Sequence, residues 1–149
     1  MGYQDWRTPK EFFQQLDQEF HFTVDVAADS TNALCSRYYD LSHNGLKQSW
    51  ANEVVWCNPP YFDVYPWVEK AATESMINGA TVVMLLNPAT DTTWFHTFIW
   101  DTLHHRSYPN VQVRFLQGRI QFLDKYNLPA GAPIKGNMLV VFRPSKLSK

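Results

Sequence analysis

A short apolar run, Val54-Val55-Trp56-Cys57, stops abruptly before two consecutive prolines, Pro59 and Pro60. An apolar run without polar alternation is typical of a strand that is buried on both faces, as in a parallel sheet. Proline lacks a backbone donor, so a central strand cannot continue through this pair. The sequence therefore predicts a buried strand that ends sharply in a rigid turn, Asn58-Pro59-Pro60-Tyr61.

Three helices are expected around this strand. The first begins at Thr8-Pro9, where Thr8 is predicted to cap the helix and Glu11 to complete a capping box. The second covers about residues 66–78 and ends at Gly79, and the third opens at Thr92 or Thr93. Each carries apolar residues at helical spacing, as a helix packed on a sheet requires.

Further strands are predicted at residues 22–27, 81–86, 111–116, 120–123 and 138–142. Strands alternate with helices in the first two thirds of the chain and cluster at the end. This order indicates an α/β fold with a mostly parallel sheet and an antiparallel final edge. The length of 149 residues suits a single compact domain over residues 1–149, without a separate target-recognition domain.

The formal net charge is −1, so the chain lacks the basic coat of many nucleic-acid-binding proteins. Any DNA contact must then rest on a pocket or on a local basic patch, for which Arg106, Arg114, Arg119 and Lys125 are candidates. Aromatic residues make up 15% of the chain, which favours some exposed rings for stacking on a planar ligand. Cys35 and Cys57 are expected to be reduced thiols, and the absence of a long apolar run indicates an intracellular protein without a membrane span.

The Asn58-Pro59-Pro60-Tyr61 turn has a specific chemical use. The lone pair of an exocyclic amino nitrogen is delocalised into its ring, so methylation there is difficult. The Asn58 side-chain carbonyl and the Pro59 main-chain carbonyl could accept hydrogen bonds from the two amino protons, and the prolines hold both acceptors in place. Tyr61 could stack on the planar substrate. The alternative is a strand-to-helix turn that merely contains prolines.

The chain resembles the small phage-type (Dam-like) DNA adenine amino-methyltransferases over nearly its whole length. The resemblance rests on landmarks in a common order: Asp5-Trp6-Arg7-Thr8-Pro9, Asp25-Val26-Ala27-Ala28, Gly45-Leu46 with Trp50, Trp56-Cys57-Asn58-Pro59-Pro60-Tyr61, Trp94-Phe95-His96 and Gly118-Arg119. It implies a Rossmann-like methyltransferase fold, S-adenosylmethionine as the methyl donor and an adenine in a short, GATC-like DNA site as the acceptor. A phage-encoded member would act in the host cytoplasm.

The resemblance also implies roles for particular residues. Asn58, Pro59, Pro60 and Tyr61 match the catalytic motif. The cofactor-binding candidates are Trp6, Thr8, Pro9, Asp25, Ala27, Ala28 and Asn58. Asp25, as an acid at a strand end, could hold either the amino group or the ribose hydroxyls of the donor. The substrate- or DNA-binding candidates are Tyr61, Asp91, Trp94, His96 and Arg119.

Several of these residues also fit structural roles. Asp91 could cap a helix, Trp94 could belong to the core, and His96 could be a partly buried structural histidine. Two positions depart from the family, which usually has Asp where this chain has Asn44 and Arg where it has Ala89. The histidines lack partners with zinc-ligand spacing, so no metal site is expected.

Two other functions remain open from the sequence. The same turn serves methyltransferases that act on RNA bases or on glutamine side chains. A DNA-binding relative without catalysis is the second alternative. In a duplex, the target adenine must be flipped out, and residues 124–137 (predicted to be a long mobile loop) and 36–48 are candidates for reading its neighbours. The sequence does not indicate the oligomeric state.

Overall fold

The protein is described here by a computed structural model that covers residues 6–131 and 135–144. Within these ranges the chain forms helices α1 (Lys10–Phe20), α2 (Tyr65–Asn78) and α3 (Thr93–Phe98), and one 3₁₀ turn at Gly45–Lys47. The strands are β1 (Val24–Asp25), β2 (Val54–Cys57), β3 (Thr81–Leu86), β4 (Trp100–Asp101), β5 (Arg106–Ser107), β6 (Val111–Phe115) and β7 (Met138–Phe142).

Five strands form the central sheet in the order β1-β2-β3-β7-β6. Strands β1, β2 and β3 are parallel, and β7 is antiparallel to both β3 and β6. Strand β6 therefore points the same way as β1, β2 and β3. We expected the antiparallel strand at the edge of the sheet, and this position is wrong. The antiparallel strand is β7, which lies inside the sheet, and β6 forms the edge.

The sheet is covered on both faces, which explains its continuous apolar strands. Val82, Met84 and Leu86 of β3 pack with α2 and α3 in one buried cluster. The alternate residues Val83 and Leu85 pack with α1 in a second cluster on the opposite face. The architecture is thus a three-layer α/β arrangement around a mixed sheet.

Two of the three predicted helix boundaries are confirmed by their capping geometry. Gly79 ends α2 in the left-handed conformation, with φ of 73°. Thr92 precedes α3, and its hydroxyl accepts a hydrogen bond from the Phe95 backbone N–H. The Thr8 cap is wrong: α1 begins after Pro9, and no side chain caps it.

Two predicted strands differ from the structure: one is shorter than expected and the other does not form. The predicted strand at residues 22–27 contracts to β1, although the Val26 backbone N–H still donates to the Trp56 carbonyl. Residues 120–123 form no regular strand, and Leu123 makes isolated bridges with Arg7 and Pro129. The predicted loop at residues 124–137 begins with a turn in which the Asp124 carboxylate accepts from the backbone N–H groups of Tyr126 and Leu128. Residues 132–134 of that loop lie outside the described residues.

Candidate active site

The predicted catalytic turn lies at the carboxyl edge of the sheet. Parallel pairing places Asp25 of β1 beside Trp56 of β2, so the segments after these two strands are neighbours. The segment after β3, which begins at Asn87, emerges at the same edge. Ligands of open α/β sheets bind in the crevice at this edge.

The Asn58 side chain is held by a residue from the start of the chain. Its Nδ2 atom donates a hydrogen bond to the Thr8 hydroxyl oxygen at 3.1 Å, and both residues are buried. This contact determines the orientation of the amide, because the carbonyl oxygen Oδ1 must then point away from Thr8. Thr8 therefore orients Asn58 instead of capping α1.

Pro59 and Pro60 are buried, and the Asp63 backbone N–H donates to the Pro60 carbonyl at 3.2 Å. The turn is therefore closed by its own backbone as well as by the two proline rings. A fixed backbone holds the Pro59 carbonyl in one direction, which is the preorganisation that an acceptor in an active site needs.

Tyr61 is anchored through its hydroxyl group. The hydroxyl donates to the Leu85 carbonyl at 3.3 Å. Burial raises the pKa of Tyr61 well above its ordinary range, and the nearby Asn137 side chain opposes this shift. Asn137 is only 4% exposed, and neither its Oδ1 nor its Nδ2 atom has a partner within hydrogen-bond distance in the described part of the chain.

A small cavity lies on the β1 side of the turn. Nine residues line it: Trp6, Arg7, Thr8, Asp25, Ala27, Asn32, Leu34, Trp56 and Asn58. A polar hollow of about 470 Å³ near the start of α1 adjoins this cavity. Arg7, Thr8, Asn32 and Leu34 line both. Of the predicted cofactor residues, the structure brings Trp6, Thr8, Asp25, Ala27 and Asn58 to the small cavity, while Ala28, which is buried, and Pro9 do not line it.

Asp25 is a buried acid in this cavity. Burial raises the pKa of its carboxyl to about 7, against hydrogen bonds from the backbone N–H groups of Leu34 and Ala27 that favour the charged form. A carboxyl group that titrates near neutral pH in a cavity is a candidate ligand-binding group. Asp25 can therefore accept hydrogen bonds from hydroxyl groups or pair with a cationic amino group.

A second cavity, of about 340 Å³, lies on the β3 side of the turn. Its aromatic lining consists of Tyr61, Phe62, Tyr65 and Trp94, and its polar lining includes Asn87 and Thr92. Ala89, where the family usually has an arginine, also lines it. The catalytic turn thus separates two cavities, and Tyr61 belongs to the second.

The other predicted substrate residues are placed differently. Asp91 is exposed, and Thr92 provides the cap of α3, so the helix-cap alternative for Asp91 is wrong. The His96 ring contacts the Thr90 carbonyl and the Thr102 hydroxyl, which favours the structural role. Arg119 is exposed on the segment after β6 and lines neither cavity.

Arg114 does not add to a basic patch for DNA. Its guanidinium forms two hydrogen bonds with the Glu19 carboxylate, at 2.8 and 2.7 Å, and lies over the Phe20 ring. Sequence reasoning missed Arg7, Asn32, Leu34 and Asn137 as individual residues of this edge. The segment containing Asn32 and Leu34 carries no motif, and only its return to β1 brings it to the cavity.

Among residues 6–131 and 135–144, no group of three or more histidine, cysteine or acidic side chains is placed to hold a metal ion. No helix in the same ranges is both long and apolar enough to cross a membrane. Cys35 and Cys57 are free thiols.

Comparison with known proteins identifies the family of this chain. Residues 3–149 match the family described as DNA N-6-adenine-methyltransferase (Dam). The chain is 30% identical over 142 residues to the DNA N-6-adenine-methyltransferase of Haemophilus phage HP1, a match that covers 93% of this chain and 78% of that protein. It is 36% identical over 92 residues to the DNA N-6-adenine-methyltransferase of Escherichia phage T1, covering 60% of this chain and 38% of that protein. No solved structure matches significantly. The chain therefore belongs to the DNA N-6-adenine-methyltransferase (Dam) family.

Proposed function

We propose that this protein transfers a methyl group from S-adenosylmethionine to the exocyclic amino group of an adenine that is flipped out of a short DNA site. The observation that carries this proposal is the position of the Asn58-Pro59-Pro60-Tyr61 turn between two cavities. The cavity on the β1 side, with the polar hollow that adjoins it, would take the donor, and the cavity on the β3 side would take the base. A Rossmann-like fold within one methyltransferase domain is part of the proposal.

The small cavity with Asp25, of about 20 Å³, and the adjoining polar hollow of about 470 Å³ would together hold the cofactor. The buried Asp25 carboxyl provides acceptors for the amino group or the ribose hydroxyls, and Trp6 provides an aromatic wall. When bound, S-adenosylmethionine supplies an electrophilic methyl group. Trp6, Thr8, Asp25, Ala27 and Asn58 would hold it next to the catalytic turn.

The catalytic turn would bind the adenine amino group. The Asn58 Oδ1 atom and the Pro59 carbonyl would each accept one amino proton, which draws electron density toward the nitrogen. Thr8 supports this role, because its contact with Nδ2 selects the oxygen as the atom presented to the base. The amino proton becomes acidic once the nitrogen is methylated, so the chain needs no strong base.

The adenine ring would enter the second cavity and stack on Tyr61. Trp94 is half-buried at the same cavity and offers a second aromatic surface. Extrusion of a base costs a few kcal/mol, and aromatic stacking in the pocket offsets part of this cost. The target sequence is expected to be short and GATC-like, as the family resemblance implies.

The test is a methyl-transfer assay with tritiated S-adenosylmethionine and PCR-amplified, unmethylated duplex DNA. The DNA is digested to nucleosides to identify the labelled base, and methylated positions are mapped by sequencing. We expect label in N6-methyl-2′-deoxyadenosine, a loss of at least about 100-fold in Asn58→Ala, and partial activity in Asn58→Asp, which keeps an acceptor oxygen.

Two controls complete this experiment. Asn110→Ala removes an amide at the opposite edge of the sheet, just before β6, and should keep full activity. Cofactor binding of each variant is measured by calorimetry. Cofactor binding without label in DNA would contradict the proposal and direct the search to RNA or protein substrates, and the absence of both would favour the non-catalytic alternative.

A further inference from the structure

Phe62 is the most exposed of the large apolar side chains that the structure describes, with 87% of its surface accessible. It directly follows Tyr61 at the carboxyl edge of the sheet. An apolar ring on the surface gains from any partner that removes it from water. Phe62 lies beside the proposed catalytic turn and lines the cavity proposed for the base.

The backbone around Phe62 is constrained. The prolines precede Tyr61, and the hydrogen bond from the Asp63 N–H to the Pro60 carbonyl spans Phe62. Helix α2 begins at Tyr65, three residues after Phe62. A short turn fixed at both ends loses little conformational entropy when its side chain contacts a ligand.

The surroundings of Phe62 are aromatic. The ring lies at the cavity lined by Tyr61 and Trp94, and the 39%-exposed Tyr65 lies at the same cavity. Exposed apolar side chains elsewhere lack this setting. Ile77 is 71% exposed near the end of α2, at the amino edge of the sheet.

We propose that Phe62 inserts into the base stack of the DNA duplex beside the target adenine and occupies the space that the extruded base leaves. This inference rests on the proposed function and names the residue that stabilises the opened duplex. Continuity with the cavity around Tyr61 supports it, because a base that enters this cavity must leave the duplex next to Phe62. Apolar wedges between base steps offset lost stacking in this way.

The experiment compares two oligonucleotide duplexes that carry the site mapped in the methylation assay. One has the ordinary thymine opposite the target adenine, and the other has an abasic position there, which leaves the adenine unpaired and easily extruded. The wild-type protein, Phe62→Ala, Phe62→Trp and Ile77→Ala are compared by kcat/KM on both duplexes. Thermal unfolding of each variant checks that the fold is kept.

If Phe62 inserts into the base stack, its removal should lower kcat/KM mainly on the paired duplex. Phe62→Ala should lose about tenfold or more in kcat/KM on the paired duplex, the size expected for one stacking contact, and less than about threefold on the abasic duplex. Phe62→Trp should keep most of the activity, since it retains a stacking ring, and Ile77→Ala should match the wild type on both duplexes.

Other outcomes overturn the inference in distinguishable ways. An equal loss on the two duplexes would mean that Phe62 contacts the target adenine itself, and no loss on either would mean that the ring has no role in DNA binding. Failure of the wild-type protein to methylate any DNA would instead overturn the proposed function on which the inference rests.

Discussion

Asn58 and Thr8 are fifty residues apart in the chain, yet the Asn58 Nδ2 atom donates to the Thr8 hydroxyl at 3.1 Å in the buried edge of the sheet. This hydrogen bond joins the start of the chain to the catalytic turn. It makes the orientation of the Asn58 amide depend on a residue that belongs to neither β2 nor the turn.

Thr8→Val tests this dependence, because valine keeps the shape of threonine and removes the hydroxyl. We expect kcat for DNA methylation to fall about tenfold, since the amide is no longer held with its oxygen toward the substrate. Loss of the hydrogen bond should also reduce the free energy of unfolding by about 1 kcal/mol. Thr8→Ser keeps the acceptor and should restore most of kcat. Unchanged kcat in Thr8→Val would show that Asn58 is oriented by other contacts.

The stability of the protein should depend on pH through Asp25. Its pKa is raised from 3.8 to about 7 by burial, so the folded state keeps a proton that the unfolded state has already released. The stabilisation is complete below about pH 4 and is lost as the pH rises toward 7, by a few kcal/mol at most. Asp25→Asn cannot titrate and lacks this contribution.

Urea denaturation of both proteins between pH 4 and pH 8 measures the Asp25 effect. The difference in unfolding free energy, wild type minus Asp25→Asn, should fall with rising pH and level off above about pH 8. A constant difference would contradict the raised pKa. Asp25→Asn should also be less stable than the wild type by an amount that does not change with pH. The reason is that an asparagine has one acceptor oxygen and cannot accept from both the Leu34 and the Ala27 N–H groups.

Tyr61 and Asn137 should act as a coupled pair. Tyr61→Phe removes the hydroxyl that donates to Leu85 and lies near Asn137, and Asn137→Ala removes that neighbouring amide. Each change should lower kcat/KM for DNA several-fold by loosening the Tyr61 ring. The double variant should be little worse than Tyr61→Phe alone, because both changes remove the same anchor.

Tyr108→Phe is the matched control for this pair. The Tyr108 hydroxyl also donates to a backbone carbonyl at 3.3 Å, that of His96, away from the catalytic turn. It should lower the unfolding free energy by about 1 kcal/mol and leave kcat/KM unchanged. Additive losses in the Tyr61 and Asn137 double variant would refute the shared anchor.

Gly45 should tolerate no side chain. A Cβ atom at this position would lie 2.1 Å from the Val26 carbonyl oxygen, so the backbone after β1 would have to move. Gly45→Ala should reduce the unfolding free energy by about 3 kcal/mol. Gly136→Ala is the control, because a Cβ there meets nothing within 4 Å, and it should be close to neutral. Chemical denaturation compares the two, and equal stabilities would show that the segment holding Gly45 moves away easily.

The sequence predicted most elements for local reasons. Strands β2, β3 and β7 are apolar runs with defined ends, and their bounds agree with those in the structure. Gly79 and Thr92 mark helix ends because their capping geometry depends only on adjacent backbone. The prediction was wrong at residues 120–123, where apolar residues pack as an irregular segment and pair with Arg7 by a single bridge.

The catalytic turn was likewise recognisable in the sequence, since the prolines, the amide and the aromatic ring are adjacent. The sequence did not reveal that Thr8 binds Asn58 instead of capping α1. A threonine before Pro9 satisfies the local rule for a helix cap, and only the return of β2 to the start of the chain brings Asn58 within hydrogen-bond distance. The same holds for Asn137, whose contact with Tyr61 requires β7 to lie beside β3.

The sequence by itself determined the alternation of helices and strands, the rigid turn after β2 and the membership of a methyltransferase family, because these depend on residue types at short spacing. The tertiary structure decided that β7 enters the sheet in reverse between β3 and β6, and that the turn separates two cavities. Strand order and side-chain partners follow from burying both faces of one sheet at once, which is a property of the whole chain and not of any segment.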